Sequence, residues 1–176
     1  VAREDVYKHL SNDQNAIATT IVDFYAMPSG ERNGWPGRNT CSTLPNNQKA
    51  QHIEQQLTQD LLERSGQQIA DRFVPFVAMH EFEAFLFSDP DKMAQAIYQP
   101  NLAAQLHSIR NSFETPEDIN DSPQTAPSKR ILNLVNGYSK VLYGNLIALE
   151  VTLEKIIQEC PGFRQWIARL LAHANS

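Results

Sequence analysis

The run Phe76-Val-Ala-Met-His-Glu-Phe-Glu-Ala-Phe-Leu-Phe-Ser-Asp89 sets His80, Glu81, Glu83 and Asp89 in and around one of the most apolar stretches of the chain. Carboxylates in apolar surroundings are costly unless they are paired, protonated or bound to a metal, so this is the first place to look for chemistry. On a helix, positions 80 and 83 share a face and 81 lies off it, which predicts that His80 and Glu83 act together. No second histidine follows at the spacing of the His-Glu-x-x-His zinc signature. Oxygen-rich ligands here favour magnesium or manganese over zinc. A plain helix start explains the same residues: an acid in the first turn suits the macrodipole, and His80 caps or packs.

Two further constellations carry candidate chemistry. Asp23 follows the β-branched run Ala16-Ile-Ala-Thr-Thr-Ile-Val22, which places it at the carboxyl end of a strand, where open α/β sheets put ligands. A carboxylate there holds a metal or caps a turn; paired with Glu81 or Glu83 in one crevice it would hold a divalent ion. The third constellation is Glu117-Asp-Ile-Asn-Asp121 with Pro127-Ser-Lys-Arg130 and Lys140. A helix opening with Pro127, Ser128, Lys129 and Arg130 offers free amides and cations to a phosphate, while the bland account is a solvated face paired to Glu117 and Asp121.

These residues need elements to position them. The order expected is a helix to about Ser11, a strand over 16–24, an irregular loop over 25–46, a helix from Asn46 or Asn47 to about Ser65, and a strand over 72–79. The loop carries Trp35 between Arg32 and Arg38, which suits either a surface anchor or stacking on a nucleic-acid base. Pro75 marks the second strand as an edge or bulged strand, and the strand, helix, strand order predicts a parallel crossover. Residues 81–176 read as mainly helical: 81–88, 91–98, 102–113, a helix begun by Pro127, one over 146–160, and one over 163–173. In the last, Trp166, Ile167, Leu170 and Leu171 are expected to face the core.

Composition bounds the answer. At 176 residues the chain suits one domain, and its net charge of -5 argues against a protein that coats nucleic acid through bulk charge. A nuclease with an acidic, metal-binding centre is compatible with it. Cys41 and Cys160 lie far apart, which excludes a cysteine-rich zinc module and makes a reduced, cytoplasmic setting the default. No apolar run approaches the roughly 20 residues that a membrane helix needs. Val1 opens directly on a helix-like segment with no preceding strand, so a fragment lacking an upstream first strand is expected.

Several blocks together resemble a known family. They are Val22-Asp-Phe-Tyr-Ala-Met-Pro28, the His80–Asp89 block, Pro116-Glu-Asp-Ile-Asn-Asp121, Thr125-Ala-Pro-Ser-Lys-Arg130, Tyr138-Ser-Lys140 and Cys160-Pro-Gly-Phe-Arg-Gln-Trp166. In this order they resemble the bacterial family catalogued as domain of unknown function 4276, which is similar to the Toprim-like group. The resemblance implies an α/β fold: a single domain with a small, mainly parallel Toprim-like sheet flanked by helices, and a helical C-terminal half. It also implies a magnesium site, with Asp23 matching the first Asp of an Asp-x-Asp motif whose second position is here Tyr25, and with a Glu expected upstream of Val1. Glu81 and Glu83 match a later acidic block.

The reading that follows is a divalent-metal-dependent, nuclease-like component acting on DNA or RNA in phage defence. Asp23, Glu81 and Glu83 would be metal ligands, His80 a ligand orienter or proton carrier, and Lys129, Arg130 and Lys140 phosphate clamps. Two accounts compete with it. One is a non-catalytic module that docks on an ATPase partner through the helical half; the other is a buried polar network that fixes the fold.

Overall fold

The computed structural model describes residues 2–30, 33–120 and 125–174. Helix α1 (Ala2–Asn12) leads into strand β1 (Ala18–Asp23), and after a long loop come α2 (Asn46–Ser65), the single turn α3 (Gln67–Ala70) and strand β2 (Phe73–Ala78). The rest is helical: α4 (Glu83–Leu86), α5 (Pro90–Ala96), α6 (Ala103–Arg110), α7 (Pro127–Leu134), α8 (Lys140–Val151), α9 (Leu153–Glu159) and α10 (Pro161–Ala174). The two strands pair in parallel, from Ala18 opposite Phe73 to Asp23 opposite Ala78. The fold is therefore α/β, with a small parallel sheet and a helical C-terminal half. The chain divides into two compact units, Val1–Met79 with Trp166–Ser176, and His80–Gln165.

In the first unit, Ile53, Leu57 and Leu61 recur at helical spacing on α2 and bury against Phe73 and Val77 of β2, with Leu10, Phe24 and Met27 closing the core. Asn46 is the first residue of α2; Pro45 holds the cap position and supplies no side-chain bond. Most of the 25–46 loop is irregular, but it is anchored. Trp35 packs against the core cluster, and the Arg38 guanidinium lies 4.0 Å over the Phe24 ring. Gly37 has φ +78°, and a Cβ there would come within 3.0 Å of the Ile53 Cα, so this approach to α2 requires glycine.

β2 is buried along its whole length, yet it tolerates Pro75. The Pro75 carbonyl accepts from Arg169 Nη2 at 2.9 Å, on the side away from β1, so the N–H that proline lacks is one no strand needed. On the same edge the Val77 N–H donates to Glu54 Oε1 at 3.0 Å, and Glu54 Oε2 pairs with Arg169 Nη2 at 3.1 Å. Side chains thus stand in for a third strand beside β2. Burial pushes the Glu54 carboxyl above its ordinary value despite the Val77 and Arg169 contacts. The outer edge of β1 has no strand partner among the described residues, and Ile21 on it is 58% exposed. Trp166 covers the opposite sheet face, stacked on Phe76 at 5.2 Å, with its Nε1–H donating to Thr19 Oγ1 at 2.9 Å. Leu171, expected to face the core, is exposed.

In the second unit the 146–160 helix of the sequence reading is two helices. Thr152, at φ 68°, interrupts it, and its side chain accepts from the Lys155 N–H to cap α9. The apolar period continues across the break, so periodicity alone does not reveal it. Pro161 and Gly162 open α10 directly after the Cys160 cap of α9, two residues before the expected start at 163, as proline's fixed φ at a first helical position allows. Asp89 caps α5 by accepting from the Lys92 N–H. Cys160 and Ser88 are buried with Sγ and Oγ 3.4 Å apart, and burial pushes the thiol up to about 12, which leaves it protonated and unreactive near neutrality.

Candidate functional site

The first candidate block folds differently from the spacing argument. Helix α4 begins only at Glu83, so His80 and Glu81 precede it and helical spacing does not apply to them. It is Glu81, rather than His80, that joins Glu83. Lys140 Nζ lies 3.0 Å from Glu81 Oε1 and 3.3 Å from Glu83 Oε1. His80 turns to another partner: the Asn120 side-chain amide donates to its Nδ1 at 3.2 Å.

Local sequence explains how these groups meet. Glu81 Oε2 accepts from the Ser128 N–H at 3.0 Å, so this distant carboxylate caps α7, whose own preceding residue, Ala126, has no side chain to do so. Gly137 turns the chain at φ 77°, Ser139 caps α8 by accepting from the Leu142 N–H, and Lys140 becomes the first residue of that helix. A cation at a helix N-terminus opposes the macrodipole, and the two carboxylates offset that penalty. Burial works against the charge on Glu81, but hydrogen bonds from Ser128 and Lys140 outweigh it and hold the carboxyl below its ordinary value. Burial likewise opposes the Lys140 charge, and the Glu81 and Glu83 contacts outweigh it and raise its pKa.

Two buried side chains complete the cluster. Ser128 is buried beside Glu81, and Glu83 is only 5% exposed. Tyr138 is 7% exposed and its hydroxyl has no hydrogen-bond partner among the described residues. Burial, then the Glu83 and Glu81 charges, push its pKa upward, so the phenol stays neutral and a donor. In the sequence Tyr138 stands out only as part of the Tyr138-Ser-Lys140 block, with no chemical role indicated by its type or spacing. Its place between Gly137 and the Ser139–Lys140 helix start was the available signal.

The other candidates fall elsewhere. Asp23 Oδ1 accepts from the Tyr25 N–H at 2.8 Å and caps the short 3-10 turn Phe24–Ala26, with Tyr25 largely exposed. Asp23 belongs to the first unit, and Glu81 and Glu83 to the second. Lys129 is exposed, whereas Arg130 donates through Nε to the Thr125 carbonyl at 2.8 Å and stacks over Phe113 at 5.1 Å. Glu117 caps α10, accepting from the Gly162 and Phe163 N–H groups at 2.8 and 2.9 Å. Asp121 lies outside the described residues.

The converging Glu81 and Glu83 oxygens, each within 3.3 Å of a single cationic nitrogen, form a donor pair of the kind magnesium accepts, since that ion commonly takes one or two carboxylates and completes its shell with water and phosphate oxygens. Among the described residues no group of three or more His, Cys, Asp or Glu side chains gathers in metal-binding geometry. No helix among them is long and apolar enough to cross a membrane.

Fold and site together define an α/β protein with a two-strand parallel sheet and a lysine-bridged glutamate pair set among helices. The chain belongs to the family described as Domain of unknown function (DUF4276), whose profile matches residues 2–171. Comparison with curated proteins and with solved structures returns no match.

Proposed function

We propose that this protein is a divalent-cation-dependent component that hydrolyses nucleic-acid phosphodiesters, with Glu81 and Glu83 as its cation-binding carboxylates. The observation that carries this reading is the convergence of both Oε1 atoms on Lys140 Nζ, with Glu83 buried. Two adjacent carboxylates, one of them out of water, call for a cation between them; Lys140 is that cation in this structure, and a divalent ion would take its place. Magnesium or manganese bound there would neutralise charge on a phosphate and activate water. Lys140, half exposed at the end of a flexible side chain, would then be displaced toward the incoming phosphate, and exposed Lys129 adds a second positive charge on α7. The Toprim likeness, a ligand role for Asp23, and a setting in bacterial phage defence extend this proposal and rest on the resemblance.

The test is cleavage of labelled DNA and RNA oligonucleotides with and without magnesium or manganese. Metal-stimulated cleavage that falls by about a hundredfold or more in Glu83→Gln supports the reading. Absence of such cleavage in the parent protein, or full activity in Glu83→Gln, overturns it.

One observation favours a second reading, a module that docks on an ATPase partner. Helix α8 is apolar on nearly every side, and Leu142 and Leu149 on its outer face are 57% and 78% exposed, with Leu146 between them. A direct binding assay with a purified ATPase, repeated with Leu142→Lys and Leu149→Lys, decides this reading. Binding that these substitutions abolish supports it.

A further inference from the structure

We propose that Tyr138 is a ligand-binding residue of this centre, its hydroxyl donating a hydrogen bond to a phosphate oxygen held against Lys140. The inference rests on the phosphodiester reading and gives a chemical role to a side chain that the sequence offers only within the Tyr138-Ser-Lys140 block.

The Tyr138 hydroxyl is buried and without a hydrogen-bond partner among the described residues. Leaving such a group unpaired costs roughly 1–3 kcal/mol, so buried hydroxyls in native proteins nearly always find a partner. Nothing in the packing needs the oxygen. The ring is held by its stack on Tyr143, centroids 5.9 Å apart, and a phenylalanine would keep that contact. On the α8 side the hydroxyl meets Gly144, which has no side chain to bond it.

Its surroundings indicate what the missing partner is. The Glu83 and Glu81 charges act on the phenol, and both carboxylates turn an oxygen toward Lys140, two residues further along the chain. A phenol hydroxyl with no partner among the described residues gains a bond by donating to an acceptor that arrives from outside. A phosphate oxygen is such an acceptor. It would reach the centre with a cation on the carboxylates and Lys140 released, so a neutral donor and an ammonium would face one anion. Chain order supports the pairing: Tyr138 and Lys140 flank Ser139, the residue that fixes the start of α8, so one helix cap sets the positions of both.

The experiment compares the parent protein with Tyr138→Phe. Binding of a fluorescently labelled oligodeoxynucleotide is titrated in calcium over a series of salt concentrations, and thermal unfolding is followed in parallel. Tyr138→Phe is expected to bind about tenfold more weakly, with the salt dependence unchanged because no charge is lost, and to unfold at the same temperature or higher because it loses no hydrogen bond. Equal affinity overturns the inference while leaving the phosphodiester reading intact. A fall of several degrees in the unfolding midpoint shows that the hydroxyl serves the fold and overturns it too. If the parent itself fails to bind, the phosphodiester reading fails, and this inference with it.

Discussion

Glu117 accepts a hydrogen bond from the Gly162 N–H at 2.8 Å, and a Cβ on residue 162 would lie 2.8 Å from the other oxygen of the same carboxylate. The carboxylate sits where a side chain on residue 162 would be. Glycine is a poor helix former, so its presence in the first turn of α10 reflects this close approach rather than helix propensity. Gly162→Ala is therefore expected to destabilise the parent protein by about 1–2 kcal/mol. In a Glu117→Ala background the same substitution should stabilise by about 0.5–1 kcal/mol, because only helix propensity remains. A double-mutant cycle in urea checks the change of sign.

Glu117 also predicts a pH dependence. Burial pushes its carboxyl above the ordinary value of 4.5 although the Gly162 and Phe163 amides pull it down. A carboxyl raised on folding contributes stability that is fully present below the unfolded pKa and is lost as pH rises through the folded pKa. The stability of the parent relative to Glu117→Gln should therefore grow as the pH falls from neutrality toward the ordinary value of 4.5. Urea unfolding of both proteins across that range measures the difference; a flat or falling difference contradicts the assignment.

Arg169 closes the outer edge of β2 by holding both Glu54 and the Pro75 carbonyl through Nη2. Arg169→Ala leaves the enclosed Glu54 carboxylate without its cation and the carbonyl without its donor. The expected loss is about 1–3 kcal/mol, discounted from a fully buried pair because Arg169 is partly solvated. Guanidinium unfolding gives the value. A double variant that also carries Glu54→Gln should recover part of it, since the unpaired charge is gone.

Lys140→Ala removes the ammonium that Glu81 and Glu83 share. The parent protein should gain little thermal stability from magnesium, because Lys140 must be displaced. The variant, with two carboxylates left to repel each other, should unfold at lower temperature without magnesium and recover several degrees when it is added. Differential scanning fluorimetry at increasing magnesium gives the comparison. Equal magnesium responses in both proteins would count against a cation site at this pair.

The sheet was legible in the sequence because its signals are local. The β-branched run before Asp23, the apolar stripe of α2, and Pro75 on an edge strand each follow from residue type and spacing. The site was legible only as a set of residues. Glu81, Glu83 and Lys140 were singled out by type, but their convergence depends on α4 starting at Glu83 and on the Ser139 cap, neither of which a helical wheel over 80–83 anticipates. The roles of Glu117 and Glu54 were hidden for another reason: each satisfies backbone amides from a segment far along the chain. Such pairings leave no periodic trace. The Thr152 break was masked because Val151 and Leu153 keep the apolar pattern going across it.

The two borders of the sheet differ in a way that makes it a one-sided template. Beside β2, the Glu54 and Arg169 side chains occupy hydrogen-bonding positions that an added strand would need, so docking there means first dismantling an ion pair. Beside β1, the backbone at Ile21 faces outward with no strand against it among the described residues. Enlargement of the sheet therefore has a direction. A strand joining it without disturbing that ion pair would add next to β1, leaving β2 as the border and the Asp23 turn at the end of the strand that gains a neighbour.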